Sequence, residues 1–196
     1  MSYVPPDAAV FIERVAADPC CAAITDDESL GEALASRAPV IFLLRGNGLA
    51  IAPLVRSVHD AGKLVAVHVD LVGGLHADRA SVDWLAGAGV DAVISSHGQL
   101  MAAIRHGGMT AIHRLLLVRR SQLDSAVSAI TRSAPTIVEI LPGVLFPSVV
   151  DLMPPFDVPV LAGGFVRTAA DVQAILAAGA LGVTTSSHAL WGTTGA

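Results

Sequence analysis

The strongest constraint on the fold of this chain is an alternation of short apolar runs with amphipathic stretches, which occurs eight times. Each apolar run has the length and composition of a strand that is buried on both faces, and each following stretch has helical periodicity. The unit recurs at intervals of roughly two dozen residues, as a strand, a helix and their loops require. The pattern therefore predicts a parallel sheet whose strands are connected by helices.

The predicted elements follow from these runs. The eight predicted strands comprise residues 20–24, 40–44, 64–69, 90–94, 109–114, 136–140, 158–162 and 181–184. The eight predicted helices comprise residues 7–18, 26–36, 47–61, 81–88, 99–106, 121–133, 144–152 and 171–178. Eight such units favour an α/β protein that is a small, single-domain (β/α)8 TIM barrel over residues 1–196. An open, doubly wound sheet is the alternative.

The composition agrees with a largely buried α/β chain and limits the classes of partner. Of the 196 residues, 53% are hydrophobic and 15% are charged, so much of the sequence must be interior. The net charge of −5 argues against nonspecific binding of polyanions, because proteins that bind nucleic acid without specificity are normally basic. Aromatic residues make up 4%, which leaves few platforms for base stacking. Any nucleic-acid role must therefore be localised, specific or dependent on a ligand or partner.

The sequence also indicates an intracellular protein. The two cysteines, Cys20 and Cys21, are adjacent and cannot form an ordinary structural disulfide, and no Cys/His cluster has metal-ligand spacing. The first residues lack the basic-then-apolar order of a signal peptide. Glycine, threonine and serine interrupt the uncharged stretch from residue 172 onward, so it is not a membrane span. We therefore expect a cytoplasmic protein without a bound metal or membrane association.

Small residues follow the seventh and eighth predicted strands, where a (β/α)8 barrel has its phosphate-binding loops. Gly163 and Gly164 follow the seventh strand, and Thr185 and Ser186 follow the eighth. Backbone N–H groups approach an anion closely where no side chain blocks them, and a following helix N-terminus adds partial positive charge. These residues together predict a phosphate site. A tight turn without a ligand is the alternative for the glycine pair.

Charged residues at the ends of other strands are expected at the same mouth. Asp70 follows the third strand, Arg114 ends the fifth and Glu139 lies in the sixth. Arg114 and Glu139 either pair with each other or contact a ligand, the arginine at an anion and the glutamate at a hydroxyl. Asp70 lies on the same side of the chain as His68, a spacing that occurs in metal sites. No third metal ligand is evident, so a contact with ligand hydroxyls is favoured.

The only adjacent basic pair, Arg119 and Arg120, follows the fifth strand. Such pairs are mostly solvated surface, and this one is also the best local candidate for contact with an RNA backbone. The sequence contains no Walker loop, nucleophile elbow or Ser-His-Asp spacing. Its single lysine, Lys63, precedes the third strand, so Schiff-base chemistry at the mouth is excluded.

Five blocks of residues, in order along the chain, resemble the glycerol-3-phosphate-responsive antiterminator family. The blocks are His68-Val69-Asp70-Leu71-Val72-Gly73-Gly74, His113-Arg114-Leu115-Leu116-Leu117, Glu139-Ile140-Leu141-Pro142-Gly143, Ala162-Gly163-Gly164-Phe165-Val166-Arg167-Thr168 and Val183-Thr184-Thr185-Ser186. The terminal pair Leu190-Trp191 is also similar, and the resemblance covers most of the chain from about Val40 onward. Five ordered blocks are far more specific than a single glycine pair.

This resemblance implies a small (β/α)8 barrel that senses sn-glycerol 3-phosphate. It also implies a bacterial regulator that binds the leader mRNA of glycerol-utilisation operons, prevents premature termination of transcription and is not an enzyme. The implied effector-binding residues are Asp70, Arg114, Glu139, Gly163, Gly164, Thr185 and Ser186. No cofactor is expected besides this effector.

Two other functions remain open at this point. A small enzyme that acts on a phosphorylated substrate would use Glu139 or Asp70 as its base, beside the same phosphate site. A sensor that has lost RNA binding and acts through a protein partner would fit the acidic net charge. The sequence also leaves open whether the chain forms a homo-oligomer.

Overall fold

The computed structural model describes residues 8–26, 28–117, 119–153 and 157–192. Eight parallel strands pair in chain order, and the last strand pairs with the first, so the sheet closes into a barrel. The closed barrel confirms the predicted (β/α)8 fold and excludes the open, doubly wound sheet. Among the residues described, no helix is long and apolar enough to cross a membrane.

The strands and helices alternate as the sequence predicts. The strands are β1 Cys20–Ile24, β2 Val40–Leu43, β3 Leu64–His68, β4 Ala92–Ser95, β5 Thr110–Leu116, β6 Ile137–Leu141, β7 Val160–Gly163 and β8 Gly182–Thr185. In the described ranges, the α-helices are α1 Ala8–Ala17, α2 Ser29–Ala35, α3 Gly48–Asp60, α4 Arg79–Gly87, α5 Met101–His106, α6 Leu123–Ser133, α7 Phe146–Val149 and α8 Ala169–Ala177. Residue 7, the predicted start of the first helix, lies outside the described residues.

Most described element boundaries differ from the prediction by a few residues, and two of these differences have clear local reasons. Helix α2 starts at Ser29 and not at residue 26, because the Asp26 carboxylate accepts hydrogen bonds from Ser29 N at 2.8 Å and Ser29 Oγ at 2.6 Å. Strand β5 continues beyond residue 114, because its pairing with β6 extends to Leu116 opposite Leu141. The longer strand carries the chain further out at the mouth of the barrel.

Alternate strand residues fill the barrel interior, as the period of two in an extended chain requires. Phe42, Ile112 and Leu161 belong to one buried cluster inside the barrel. Phe11 and Val15 of α1 join this cluster and are fully buried. Helix α1 therefore closes the barrel at the amino ends of the strands, and the carboxyl ends form the open mouth. Further apolar clusters fill the space between the strands and the outer helices.

A substitution at Gly182, the first residue of β8, tests whether α1 closes the barrel at the amino ends of the strands. A Cβ on Gly182 would lie 2.7 Å from Val15 Cγ1 and 2.7 Å from Pro19 O. We expect Gly182→Ala to lower the free energy of unfolding in urea by about 1–3 kcal/mol, the usual cost of overpacking. Gly87→Ala at the end of α4 is the matched control, because its Cβ would meet nothing within 4 Å. The control should be neutral or slightly stabilising, and equal effects in the two variants would contradict the packing at α1.

Candidate ligand-binding site

A cavity of about 600 Å³ opens at the carboxyl ends of the strands. Its walls are the ends of β1, β2, β5 and β6 and the loops after β7 and β8. The predicted contacts that line it are Arg114, Glu139, Gly164, Thr185 and Ser186. The structure therefore brings most of the predicted ligand contacts together, whereas Gly163 and Asp70 are not part of the lining.

The floor of the cavity is a buried ion pair with a hydroxyl partner. Arg114 Nε donates to Glu139 Oε2 at 2.6 Å, and Thr184 Oγ1 donates to Glu139 Oε1 at 2.7 Å. The Glu139 side chain is fully buried, and that of Arg114 is 12% exposed. Hydrogen bonds between charged groups at such distances are among the stronger side-chain contacts. Of the alternatives that the sequence leaves open, the pairing of Arg114 with Glu139 is present, and it lies inside the cavity.

Gly163 makes room for this arrangement. A Cβ at residue 163 would overlap Thr184 Oγ1 and lie 2.9 Å from Glu139 Oε1. Gly143, in the loop after β6, packs against the same residue, because its own Cβ would lie 2.6 Å from Gly163 N. Glycine at these positions therefore allows the backbone to approach the buried carboxylate closely. A direct contact between Gly163 and a ligand stays a prediction.

The hydroxyl of Thr185 connects the loops after β7 and β8. Thr185 Oγ1 donates to Val166 O at 2.7 Å and accepts from Ser187 N at 3.0 Å. Gly164 has a φ of +83°, which only glycine adopts without strain. Because the Thr185 hydroxyl holds the two loops together, Gly164 and Ser186 are better placed than that hydroxyl to contact a ligand.

Asp70 connects the end of β3 to the loop after β4. Its Oδ1 accepts from Ser95 Oγ at 2.6 Å, and its Oδ2 accepts from Ser96 N at 2.8 Å. Burial alone would raise the pKa of Asp70, but these two hydrogen bonds, with smaller effects of His68 and His97, outweigh it and lower the pKa. The carboxylate is therefore a structural acceptor at the edge of the mouth, and its contact with a ligand hydroxyl stays a prediction.

His68 is a buried histidine beside the cavity with one unsatisfied ring nitrogen. The residue is 2% exposed, and within the described chain its Nδ1 has no hydrogen-bond partner. Burial, followed by the positive charge of Arg114, lowers the pKa of His68 to about 4, although Asp70 and Glu139 act in the opposite direction. The imidazole is therefore neutral at pH 7. Among the residues that the structure describes, no group of three His, Cys, Asp or Glu residues could hold a metal ion.

The predicted RNA contacts lie outside the cavity. Arg119 and Arg120 are exposed in the connection between β5 and α6. Arg167, which from the sequence is either an anion contact or solvated surface, is exposed and lines the rim of the cavity. Phe165, an exposed residue that the prediction does not include, also lines the rim. It follows the predicted glycine pair directly, so the position of that pair in the barrel was the signal that could have identified it.

A network beside the β8 loop joins distant parts of the chain. His188 Nδ1 lies 2.7 Å from Glu32 Oε2, and His188 Nε2 lies 3.0 Å from Ser29 Oγ. The His188 ring stacks on Trp191 with ring centroids 4.3 Å apart, and Trp191 Nε1 donates to Thr185 O at 2.7 Å. These contacts anchor the β8 loop to α2. No local sequence signal could have identified them, because Glu32 and His188 are 156 residues apart.

The fold and the site define a (β/α)8 barrel with a polar, arginine-containing cavity where such barrels bind small anionic ligands. A profile of the family described as glycerol-3-phosphate responsive antiterminator matches residues 20–191. The Escherichia coli (strain K12) protein YgcP is 30% identical over 176 residues, which cover 89% of this chain and 92% of YgcP. The chain therefore belongs to the glycerol-3-phosphate-responsive antiterminator family.

Solved structures agree with this assignment. A glycerol uptake operon antiterminator regulatory protein from Listeria monocytogenes is 29% identical with a TM-score of 0.83, covering 88% of this chain and 94% of that one. A glycerol uptake operon antiterminator-related protein from Thermotoga maritima is 28% identical with a TM-score of 0.79, covering 89% and 98%. Deoxyribose phosphate aldolase from Aeropyrum pernix is 16% identical with a TM-score of 0.67, covering 94% and 96%. The similarity to the aldolase shows the fold alone.

The lowered pKa of His68 predicts that acid destabilises the folded chain. From about pH 6.5 down to about pH 4, the unfolded chain binds a proton at this residue and the folded chain does not. The free energy of unfolding therefore rises with pH across this window, by roughly 3 kcal/mol in total from this residue. His68→Gln, which cannot titrate, should flatten the dependence in denaturant melts across the window, and His106→Gln on the surface is the control. An unchanged slope in His68→Gln would contradict the prediction.

Proposed function

We propose that this chain is a ligand-responsive transcription antiterminator. It binds sn-glycerol 3-phosphate in the cavity and, with the ligand bound, binds the leader mRNA of glycerol-utilisation operons and prevents premature termination. The observation that carries the proposal is that a member of an antiterminator family has a cavity lined by Arg114 and by Gly164 and Ser186 of the loops after β7 and β8. The ligand favours the RNA-competent state by its higher affinity for that state.

The phosphate of the ligand lies against the loops after β7 and β8 in this proposal. Backbone N–H groups at Gly164 and Ser186 and the Arg167 side chain at the rim donate to its oxygens. The hydroxyls lie deeper, beside Arg114 and Glu139. Because Arg114 uses Nε on Glu139, its terminal amino groups are the ones that contact the ligand.

Asp70 contributes to the proposed site from its edge. Its carboxylate holds the loop after β4 through Ser95 and Ser96, and it lies 4.0 Å from the unsatisfied Nδ1 of His68. A ligand hydroxyl at this edge of the mouth would meet a neutral imidazole and an ionised carboxylate. Such a pair can accept and donate hydrogen bonds without a second positive charge.

Arg119 and Arg120 contact the RNA backbone in this proposal. Both are exposed in the connection that leaves β5, the strand that also carries Arg114. With a net charge of −5, the chain can bind RNA through a local basic surface and not through its overall charge. One strand thus connects the proposed ligand contact to the proposed RNA contact.

Two observations argue against the alternative of an enzyme for a phosphorylated substrate. Both oxygens of Glu139, one candidate base, already accept hydrogen bonds from Arg114 and Thr184. Both oxygens of Asp70, the other candidate base, accept from Ser95 and Ser96. Lys63, the only lysine, precedes β3 and donates Nζ to Ser36 O at 2.6 Å, away from the mouth. It cannot form a Schiff base in the cavity, as lysine-dependent aldol chemistry requires. We therefore favour regulation over catalysis.

Isothermal titration calorimetry with sn-glycerol 3-phosphate tests the ligand. We expect saturable binding by the unmodified protein, and at least about tenfold weaker binding by Ser186→Asp, because the added carboxylate repels the phosphate. Ser128→Asp, on the exposed face of α6, adds the same charge away from the cavity and should bind like the unmodified protein. The absence of both heat and thermal shift at millimolar ligand would exclude this effector.

Gel-shift titrations with the leader RNA of a glycerol-utilisation operon test the RNA contact. Replacing both Arg119 and Arg120 with Gln should weaken binding and reduce the slope of log affinity against log salt by about 1.4, or about 0.7 for each lost phosphate contact. The charge-matched control replaces Arg56 and Arg79, which are exposed on α3 and α4, with Gln. Equal slopes in the two double variants would contradict the assignment of the RNA contact.

A further inference from the structure

Phe165 is an aromatic residue exposed at the rim of the cavity. It is 74% exposed, whereas the next residue, Val166, is 3% exposed. Its φ of +60° lies in the left-handed region, which residues with bulky side chains rarely adopt. An exposed ring on an unfavourable backbone contributes little to folding. Its position suits contact with a partner.

The turn that carries Phe165 is held by hydrogen bonds on its C-terminal side. Val166 O accepts from Thr185 Oγ1 at 2.7 Å, and Arg167 N donates to Asp171 Oδ2 at 3.0 Å. Thr168, the next residue, caps α8, because its Oγ1 accepts from Asp171 N at 3.2 Å, and its own N donates to the same carboxylate at 2.9 Å. The ring is therefore presented by a turn whose C-terminal side is fixed, and a contact that is partly pre-organised loses less conformational entropy on binding.

The half of the mouth that carries Phe165 is basic. Among the described residues, the charged side chains of the loops after β5, β6, β7 and β8, before the following helices or helical turns, are those of Arg119 and Arg167. Arg120 opens the helical turn after the β5 loop, and all three arginines are exposed. The carboxylate of Asp171, at the start of α8, accepts from two backbone N–H groups.

The opposite half of the mouth is acidic. The connections after β1 and β3 carry Asp26, Glu28, Asp70 and Asp78. Arg45, after β2, donates to a backbone carbonyl of the β1 loop, and Arg79, which opens α4, pairs with Asp83 at 2.8 Å. Although the net charge of the chain is −5, the mouth of the barrel therefore has one basic and one acidic half. A polyanion would be attracted to the basic half, which carries the exposed ring of Phe165.

We propose that Phe165 stacks on a base of single-stranded leader RNA and that Arg119 and Arg120 contact the neighbouring phosphates, while Arg167 stays on the phosphate of the bound ligand. Single-stranded nucleic acid is bound by this combination, because stacking holds a base of any sequence and cationic side chains follow the backbone. The inference rests on the proposed function and adds the surface that the RNA occupies. The test also has an outcome that would identify a second copy of the chain as the partner of the exposed ring.

The position of Phe165 connects the RNA to the ligand. Phe165 directly follows Gly164, the proposed phosphate contact, and both residues line the same cavity. A phosphate bound to this turn fixes the backbone that carries the ring and leaves a stacked base above the occupied cavity. The response of RNA binding to the ligand then arises within a single turn.

Affinity for leader RNA, measured at saturating glycerol 3-phosphate, tests the stacking contact. Phe165→Ala should weaken binding by roughly five- to 150-fold, the range that alanine substitution of a stacking residue produces. Phe165→Leu should weaken it similarly, because leucine keeps the apolar bulk without an aromatic face, and Phe165→Trp should retain it. Leu49→Ala, which removes an 88% exposed side chain from α3 on the acidic half, is the control and should bind like the unmodified protein.

Tryptophan fluorescence gives a direct readout of the contact. The emission of Phe165→Trp should be quenched when leader RNA is added, because a stacked base quenches indole, and that of Leu49→Trp should not. Both variants retain Trp84 and Trp191, so the background is the same. Thermal unfolding of each variant establishes that the barrel is intact.

The outcomes separate this inference from the proposed function. Failure of the unmodified protein to bind leader RNA would overturn both. Binding by Phe165→Ala and Phe165→Leu at the affinity of the unmodified protein would overturn the stacking contact alone. Full binding by Phe165→Leu with loss in Phe165→Ala would show an apolar contact without stacking, and so would also overturn it. A change from dimer to monomer in Phe165→Ala, with RNA affinity unchanged, would instead identify an interface between copies.

Discussion

The contact on which the mouth of this barrel depends is the hydrogen bond from Arg114 Nε to Glu139 Oε2 at 2.6 Å. It joins β5 to β6, and the second oxygen of Glu139 accepts from Thr184 of β8, so one carboxylate connects three strands. A buried ion pair is weak evidence for stability, because the cost of removing two charges from water offsets much of their attraction. Its importance here is geometrical, since it holds a guanidinium in one orientation at the floor of the cavity.

Other features of the site follow from this carboxylate. Residue 163 is a glycine because a Cβ there would lie 2.9 Å from Glu139 Oε1. Gly143 in turn packs closely against the backbone nitrogen of residue 163. One carboxylate therefore constrains both the glycine pattern and the packing of two loops. The loops that surround the cavity are built around a fixed charge.

Much of this fold could be predicted, because strands of a closed parallel barrel are buried on both faces and appear as short apolar runs. Barrel topology then placed Arg114 and Glu139 at one mouth, where the carboxyl ends of all parallel strands lie. The hydrogen-bond partner of each side chain could not be predicted from the topology. Asp70 was expected on the same side of an extended chain as His68, but the chain turns after β3 and the carboxylate accepts a hydrogen bond from Ser95. The positive φ of Phe165 was equally hidden, because it depends on how the β7 and β8 loops pack together.

The same fold serves an aldolase that is 16% identical to this chain, so function has to be argued from the chemistry at the mouth. Here the cavity has a carboxylate already bound to arginine, and the only lysine lies before β3. If ligand and RNA contact the same turn, their binding is linked, and each raises the affinity for the other by the same factor. A tenfold effect corresponds to about 1.4 kcal/mol, which one or two hydrogen bonds to a fixed turn can supply. Such a sensor requires no rearrangement of the barrel. It is sufficient that the turn is more rigid when the ligand is bound than when it is absent.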